Sequence, residues 1–540
     1  MPLAPKVYTW LCGLFASLGS IIFGYDLGVI AGVTPASDFI AHMGPLWLTN
    51  SNIQGLVVSI LVLGCLLGMV PVAWVADKFG RRHTIQLGAL IYMLGGALQT
   101  GARNLGMMLA GRFFAGVGIG IMSDLAPLYQ AEIAHPSIRG RLTTLQQVRT
   151  VRALRVPPTD VPKFMLGIGA FTASWVTYGC SAGLKGHAAE WRLPLGLQII
   201  PAIPLFSFIL LLPESPRWLA EKGRMDEARA TLARLHARGD LDDAFVLAQM
   251  KDIEADIHRN REMGEASWSE LFTNGSNFRR LALGYILQFS VQMTGVSAIQ
   301  YYSTTIFKTM GFSSTRILLF QSINSIIALI GEAACVLWID HVGRRGPLIV
   351  GNVASGLSFV VGSILMARWP GTVNNNAAHY IFILTTWVFN FFFSACIGPL
   401  SWAYPAEIYS TRTRAKATAI TSSASWISNF MIAQVTSPAF QSIGWKYYLV
   451  FAICGHTNAL FVWAFYPETT GRRLEEMDTL FADAPLFVPG TPYVKRGDRH
   501  AAERELRDGT FRPGDLTERA VPQDYEAKPS VEKVSDERID

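Results

Sequence analysis

The chain has 540 residues, half of them hydrophobic and only 16% charged, with a formal net charge of +6 and a mean hydropathy of +0.29. Soluble proteins carry about 25% charge, and what excludes a string of soluble domains is the distribution of the apolar residues, in long runs of roughly twenty separated by short polar links. The basic residues lie between apolar runs rather than in a nucleic-acid patch, and the six cysteines (12, 65, 180, 335, 396, 454) show no metal or redox spacing, so no metal and no other cofactor is expected.

A helix of ~20 apolar residues spans a bilayer. Such runs lie at 10–33, 52–76, 84–102, 106–132, 164–183 (extended by 140–147) and 192–212. A polar stretch, 213–278, follows. Further runs lie at 280–307, 315–339, 347–368, 379–405, 414–440 and 445–466. The first run starts near Trp10 and is too long for a signal core, so it reads as a retained helix. The pattern predicts an all-α polytopic membrane protein: twelve transmembrane helices in two pseudo-symmetric six-helix bundles, residues 1–212 and 279–466. Within the 213–278 linker, Met225, Ala228, Leu232 and Leu235 form a narrow apolar stripe, and 241–262 is similar, which predicts amphipathic helices against one membrane face. The tail over 467–540 is read as largely disordered, because beyond about 490 it is charged and poor in aromatic residues.

Lys78, Arg81 and Arg82 follow the second run, Arg139 and Arg141 the fourth, Arg344 and Arg345 the eighth, and Arg412, Arg414 and Lys416 the tenth. The link after the first run, 34–51, has neither Lys nor Arg. The positive-inside rule therefore places the linker and both termini in the cytoplasm. A glycosylation sequon at Asn274-Gly275-Ser276 falls on that side and is expected to be unused.

Three motifs occur twice, about half a chain apart. Asp77-Lys-Phe-Gly-Arg81-Arg82 matches Asp340-His-Val-Gly-Arg344-Arg345. Tyr129-Gln-Ala-Glu132, with Arg139 and Arg141 beyond it, matches Tyr404-Pro-Ala-Glu407 with Arg412 and Arg414. Pro213-Glu214-Ser215 matches Pro467-Glu468-Thr469. Parallel repeats of this kind place a substrate between the halves, near the bilayer midplane, and rock about it. In each half the carboxylates fall beside arginines of another loop, so ion pairs there are expected to latch the cytoplasmic side. Arginines that only set topology are the blander reading.

Asp26 and Arg112 lie deep in the first and fourth runs. A charge at mid-helix costs ~2.5–3.5 kcal/mol, so each should face the interior and find a partner; we pair them. Burial favours the neutral acid and the arginine favours the carboxylate, so the balance responds to conformation. That makes Asp26 the candidate protonation site of a proton symporter. A purely structural ion pair is the alternative.

Residues 148–163, VRTVRALRVPPTDVPK, interrupt what otherwise joins Gln147 to Phe164 in one helix. Three arginines, a lysine and a Pro-Pro pair cannot continue a membrane helix. Removing them also evens the spacing of the repeats. They read as a translated intron, since Val148-Arg149 can be encoded GTAAGA and Thr159-Asp160 ACTGAC. A cytoplasmic loop insertion is the alternative.

The Asp-Lys-x-Gly-Arg-Arg loop, Gly111-Arg112, Pro213-Glu-Ser-Pro-Arg217-Trp218-Leu219 and Pro467-Glu468-Thr-x-Gly471 resemble the sugar porter family of the major facilitator superfamily. The similarity covers roughly residues 10–480, and the wording looks most like fungal hexose transporters. The resemblance implies a carbohydrate porter working by alternating access, with a small-molecule sugar, a proton and the bilayer as partners, as a monomer in the plasma membrane. It also implies that Gln147, Gln292, Asn324 and Trp402 hold the sugar, with Tyr301 and Trp426 nearby. Amides donate and accept as hydroxyls require, and aromatic faces pack on the C–H face of a pyranose. Inter-helix hydrogen bonding is the blander reading for any one of them. The chain departs from the family at Ser297 and Ser425, where asparagine is common, which leaves pentoses, polyols, quinate-like acids and disaccharides open. A sugar sensor with a transporter-like fold remains the alternative outside transport; an enzyme does not fit, because no nucleophile–base pair or phosphate loop occurs.

Overall fold

The computed structural model describes the chain except residues 1–4, 134–160, 263–266, 309, 371–372, 374, 411, 471, 473–475 and 496–540. For some residues inside helices, Asp340 among them, it describes the backbone alone. Gln147, Arg139, Arg141 and most of the 148–163 stretch therefore lie outside the described residues.

Among the described residues nine stretches are long and apolar enough to cross a membrane. The first half is built from α1 (Leu18–Val33), α2 (Ser51–Met69), α3 (Arg81–Thr100), α4 (Leu105–Ile133) and α5 (Val161–Gly183), then the shorter Ala189–Leu197 and Ala202–Phe208. The second half holds α6 (Gly275–Gln292), α7 (Val296–Lys308), α8 (Ser314–Val342), α9 (Arg345–Arg368), α10 (Asn376–Phe392), α11 (Gly398–Ile408), α12 (Arg414–Ile443) and α13 (Tyr447–Phe465). Inside lipid an α-helix satisfies its backbone hydrogen-bonding groups within its own segment.

Several expected runs are broken, each for a local reason. Residues 192–212 divide around Pro201, and the 52–76 run ends α2 before Pro71 and resumes at Val72. The 379–405 run passes through a π-turn at Phe393–Ile397 before Pro399. Helix α5 starts at Val161, ahead of the expected Phe164, because Pro162 is tolerated in a first turn where its missing N–H has no partner to lose.

The break between α6 and α7 is the one that shapes the interior. Gly295 stands at φ +93°, and a Cβ there would come within 2.8 Å of Phe359 Cζ and Phe451 Cγ. Replacing Gly295 by alanine is expected to cost ~1–3 kcal/mol in backbone strain alone. Thermal unfolding of detergent-purified protein checks this; an unchanged melting temperature would contradict it.

The linker folds into Pro216–Glu221, Met225–His236 and Ala244–Glu262, which share a small core of Trp218, Leu219, Leu232, Val246 and Met250. Asn274 of the sequon caps α6, its side chain accepting from the backbone N–H groups of Ser276 and Asn277. The beginning of the tail is seated. Glu476–Asp483 buries Met477, Leu480 and Phe481, and Val488 N–H donates to Ala464 O at 2.9 Å.

Candidate functional site

Three polar assemblies stand inside this apolar frame. The deepest is Asp26 with Arg112. Arginine Nη1 donates to Asp26 Oδ1 at 2.6 Å, and Arg112 Nε donates to Val57 O at 3.1 Å. Both side chains are 0% exposed. Asp26 Oδ2 and Arg112 Nη2 have no hydrogen-bond partner among the described residues. The pair thus ties α1 to α4 and, through Val57, to α2, while one oxygen of the acid stays uncommitted.

A second assembly lies at the linker end and is built twice. In the first half Arg81 grips Glu132 with two N–H groups, at 2.9 and 3.0 Å, and reaches Asp77 at 3.1 Å. Glu214 accepts from the Arg81 backbone N–H at 3.2 Å and from Arg82 Nε at 3.3 Å. In the second half Arg344 gives two N–H groups to Glu407, at 3.1 and 3.0 Å, while Glu468 accepts from the backbone N–H groups of Arg344 and Arg345. Tyr129 donates to Pro213 O and Tyr404 to Pro467 O, at 2.6 and 3.0 Å. Even the glycines correspond. Gly80 (φ +91°) and Gly343 (φ +97°) each carry the backbone so close to the glutamate that an added Cβ would sit 2.7 Å from Oε2 of Glu214 and Glu468.

These described ion pairs run within each half. Arg412 pairs with Glu270 at 3.3 Å rather than with Glu407, and Arg414 donates to Tyr409 O. The hydrogen bonds described between the halves all lie at the far end. Ser59 and Asn52 of α2 bond Gln434 of α12, Gln54 accepts from Ser437, Thr304 donates to Ala31 O and Ser322 to Ser174 O.

The third assembly lies where α6, α7 and α12 meet. The break at Gly295 turns Ser297 back so that its hydroxyl donates to Gln292 Oε1 and contacts Asn429 Oδ1 at 3.1 Å. Tyr301 donates to the same Asn429 oxygen at 3.3 Å. Trp426 is buried, one turn from Asn429, and its ring lies 5.6 Å from Phe23 of the other half. Asn324 on α8 accepts at its backbone oxygen from Asn390 Nδ2 at 3.0 Å, and its own Oδ1 has no partner among the described residues. Trp402 stands apart at 42% exposure.

Ser425 contributes its backbone oxygen to Ser428 and takes no part in the cluster. The polar side chain of α12 that does is Asn429, which sequence reasoning passed over. Its signal was present: an amide inside an apolar helix, the same criterion that singled out Gln292. The helix therefore supplies an amide one turn beyond Ser425.

A sequence profile described as "Sugar (and other) transporter" matches residues 12–481. The chain is 31% identical over 533 residues to the "MFS glucose transporter mfs1" of Aspergillus flavus, covering 94% of this chain and 96% of that one. It is 29% identical to "High-affinity glucose transporter 1" of Candida albicans (89% and 87% covered) and 31% identical to the "High-affinity fructose transporter ght6" of Schizosaccharomyces pombe (88% and 87%). Its fold is similar to that of the xylose transporter XylE from E. coli in a partially occluded inward-open conformation, with a TM-score of 0.70 at 22% identity, covering 86% of this chain and all of the other. A match from residue 12 to residue 481, the paired motifs and a transporter fold leave one conclusion: the chain belongs to the sugar transporter family of the major facilitator superfamily.

Proposed function

We propose that this sugar transporter moves a monosaccharide, a hexose or a pentose, across the plasma membrane by alternating access, coupled to protons. Asp26 takes up and releases the proton, with Arg112 as its counter-charge. The sugar is held between the halves by Gln292, Asn324, Tyr301 and Asn429, with Ser297 positioning Gln292 and Trp426 and Trp402 offering faces. The linker and both termini face the cytoplasm, where the arginines at the ends of the second, fourth, eighth and tenth runs accumulate. The observation that carries the reading is the buried Asp26–Arg112 bond with one carboxylate oxygen uncommitted. A membrane acid held beside an arginine and within a moving bundle is the arrangement a proton-linked cycle needs. The proteins this chain is similar to are named for glucose and fructose, and one solved relative is titled a proton:xylose symporter.

The test is uptake of labelled glucose in cells lacking their own sugar porters, competed by fructose, xylose, polyols and quinate, with and without an uncoupler. The full chain and a chain lacking 148–163 are compared side by side. Saturable, uncoupler-sensitive uptake blocked by monosaccharides is expected. Uptake indifferent to pH and uncoupler would reject proton coupling. Surface protein that transports none of these compounds would reject the monosaccharide reading.

Within the site, Asn429→Ala is expected to weaken apparent sugar affinity about tenfold, because truncation removes an amide from the site and strands the Tyr301 hydroxyl at ~1–3 kcal/mol of unmet hydrogen bonding, while Ser297 keeps Gln292 as its acceptor. Ser425→Ala should stay within about twofold, since only its backbone is engaged. Concentration dependence of uptake in the two variants decides; equal effects would reject the assignment of Asn429.

A further inference from the structure

Helix α13 turns a repeating face outward. Leu449, Ile453, Leu460 and Trp463 are 38%, 64%, 62% and 42% exposed. With His456, which is also exposed, they step along the helix by four, three, four and three residues. That alternation is the spacing of a coiled-coil seam. His456 is its polar member. It stands nine residues from either end of Tyr447–Phe465, or ~13 Å at ~1.5 Å per residue. Water and lipid headgroups are therefore out of its reach.

The imidazole is held in one orientation. Nδ1 lies 2.7 Å from Ala452 O, and because a carbonyl only accepts, Nδ1 is the donor. A Cβ added at Gly356 of α9 would sit 2.5 Å from Nδ1 and 2.6 Å from Cε1 of His456, so glycine there lets that edge of the ring rest on α9. In the neutral ring Nε2 is then an acceptor, and it has no hydrogen-bond partner among the described residues. Thr457, exposed beside it, donates its hydroxyl to Cys454 O at 3.1 Å. The next residue, Asn458, is committed inward, donating to Ser290 O of α6 at 3.1 Å. Polar side chains inside a membrane are costly and ordinarily face protein. His456 and Thr457 face out.

We propose that this face of α13 is the interface of a homodimer, with two α13 helices side by side and His456 seated in the facing helix. All copies insert in the same orientation, so a two-fold axis along the membrane normal brings the same face of each α13 together. In a parallel seam of this spacing, a knob at 456 enters a hole lined by positions 453, 456, 457 and 460 of the facing helix. Thr457 of the partner subunit then stands beside Nε2. Turning its hydroxyl from the Cys454 carbonyl to that nitrogen supplies the missing donor, and the carbonyl keeps its helical N–H bond. The axis repeats the exchange, so both imidazoles are satisfied together. Hydrocarbon tails have no donor to offer in their place. The surface also continues beyond the helix: the Trp463 ring lies 5.7 Å from that of Phe487 in the seated tail, where Leu486 and Phe487 are 64% and 54% exposed. Such a dimer joins second halves and leaves each first half free to rock. It replaces the monomer that the resemblance implied, and it does not depend on proton coupling.

The experiment uses the full chain in membranes. The native cysteines are buried apart from Cys454, which is half-buried, so single cysteines are placed in a Cys454→Ser background. Oxidation before solubilisation should join copies through Ile453→Cys and Leu460→Cys, but not through Val388→Cys on the exposed face of α10. In liposomes, single-molecule photobleaching counts paired copies as the protein is diluted into lipid. His456→Leu is expected to lower pairing about fivefold or more, while His456→Gln, which still accepts, stays within about twofold of wild type. Leucine suits a lipid-facing position, and Thr457→Val removes the donor instead should H456L fail to assemble; loss of pairing in that variant supports the interface and unchanged pairing rejects it. Cross-linking equal at all three positions would show chance collision and overturn the proposal. Wild type that stays single at every dilution would overturn it, as would pairing that H456L leaves unchanged. Transfer of a photoactivatable sterol to the His456 peptide of unpaired protein would assign the face to lipid instead.

Discussion

Asp26→Ala is expected to destabilise the protein by ~3–5 kcal/mol, and more than Arg112→Ala does. The asymmetry follows from the chemistry of the two groups. Removing the aspartate leaves a guanidinium that is 0% exposed, bonded among the described residues to the Val57 carbonyl alone, and unable to shed its proton. Removing the arginine leaves an acid that can neutralise itself by taking a proton. The double variant should recover part of the loss, because breaking one partner of a buried pair costs more than replacing both. Thermal unfolding of the purified variants at several pH values measures all three. The Arg112→Ala variant should approach wild type as pH falls, while Asp26→Ala should not. Equal losses in the two single variants, independent of pH, would show that the pair is not a desolvated charge pair at all. Asp26→Asn separates stability from coupling: it keeps an oxygen for Arg112 Nη1, so the protein should assemble while its pH-driven accumulation is lost.

That pairing could be read from the sequence because a membrane makes charge expensive, and two isolated charges in neighbouring runs have few other places to go. The repeated Asp-x-x-Gly-Arg-Arg and Pro-Glu motifs were legible for the same reason. They mark helix ends, and the geometry of Gly80 and Gly343 shows why each needs its glycine. What sequence could not supply was rotation about a helix axis. Ser425 and Asn429 are one turn apart, and an apolar helix of thirty residues with almost no amphipathic bias gives no sign of which face meets α7. Breaks were equally hidden. The run 280–307 reads as one helix, and the Gly295 kink that turns Ser297 toward Gln292 depends on Phe359 and Phe451, which arrive from distant parts of the chain.

Arg344→Ala should be among the most damaging substitutions at the linker end, at ~3–5 kcal/mol, since it strands Glu407 in a site where that carboxylate is barely exposed. Glu407 holds two guanidinium N–H groups on one oxygen and the Thr469 hydroxyl, at 2.6 Å, on the other. One residue thus joins the end of α8, the end of α11 and the start of the tail. Arg81→Ala should do the same in the first half, where Glu132 takes both of its N–H groups. The informative quantity is the combination. The two networks share no described partner, so if each only clamps its own half, the losses in the double variant should add within ~0.3–0.5 kcal/mol. A latch that joins the networks in another state of the cycle gives a different result in a different measurement. The stabilities still add, but the fraction of molecules open at the linker end, read by accessibility of an introduced cysteine, changes less in the double variant than the single effects require. The clamp reading therefore predicts additivity in both measurements, and the latch reading predicts it in stability alone.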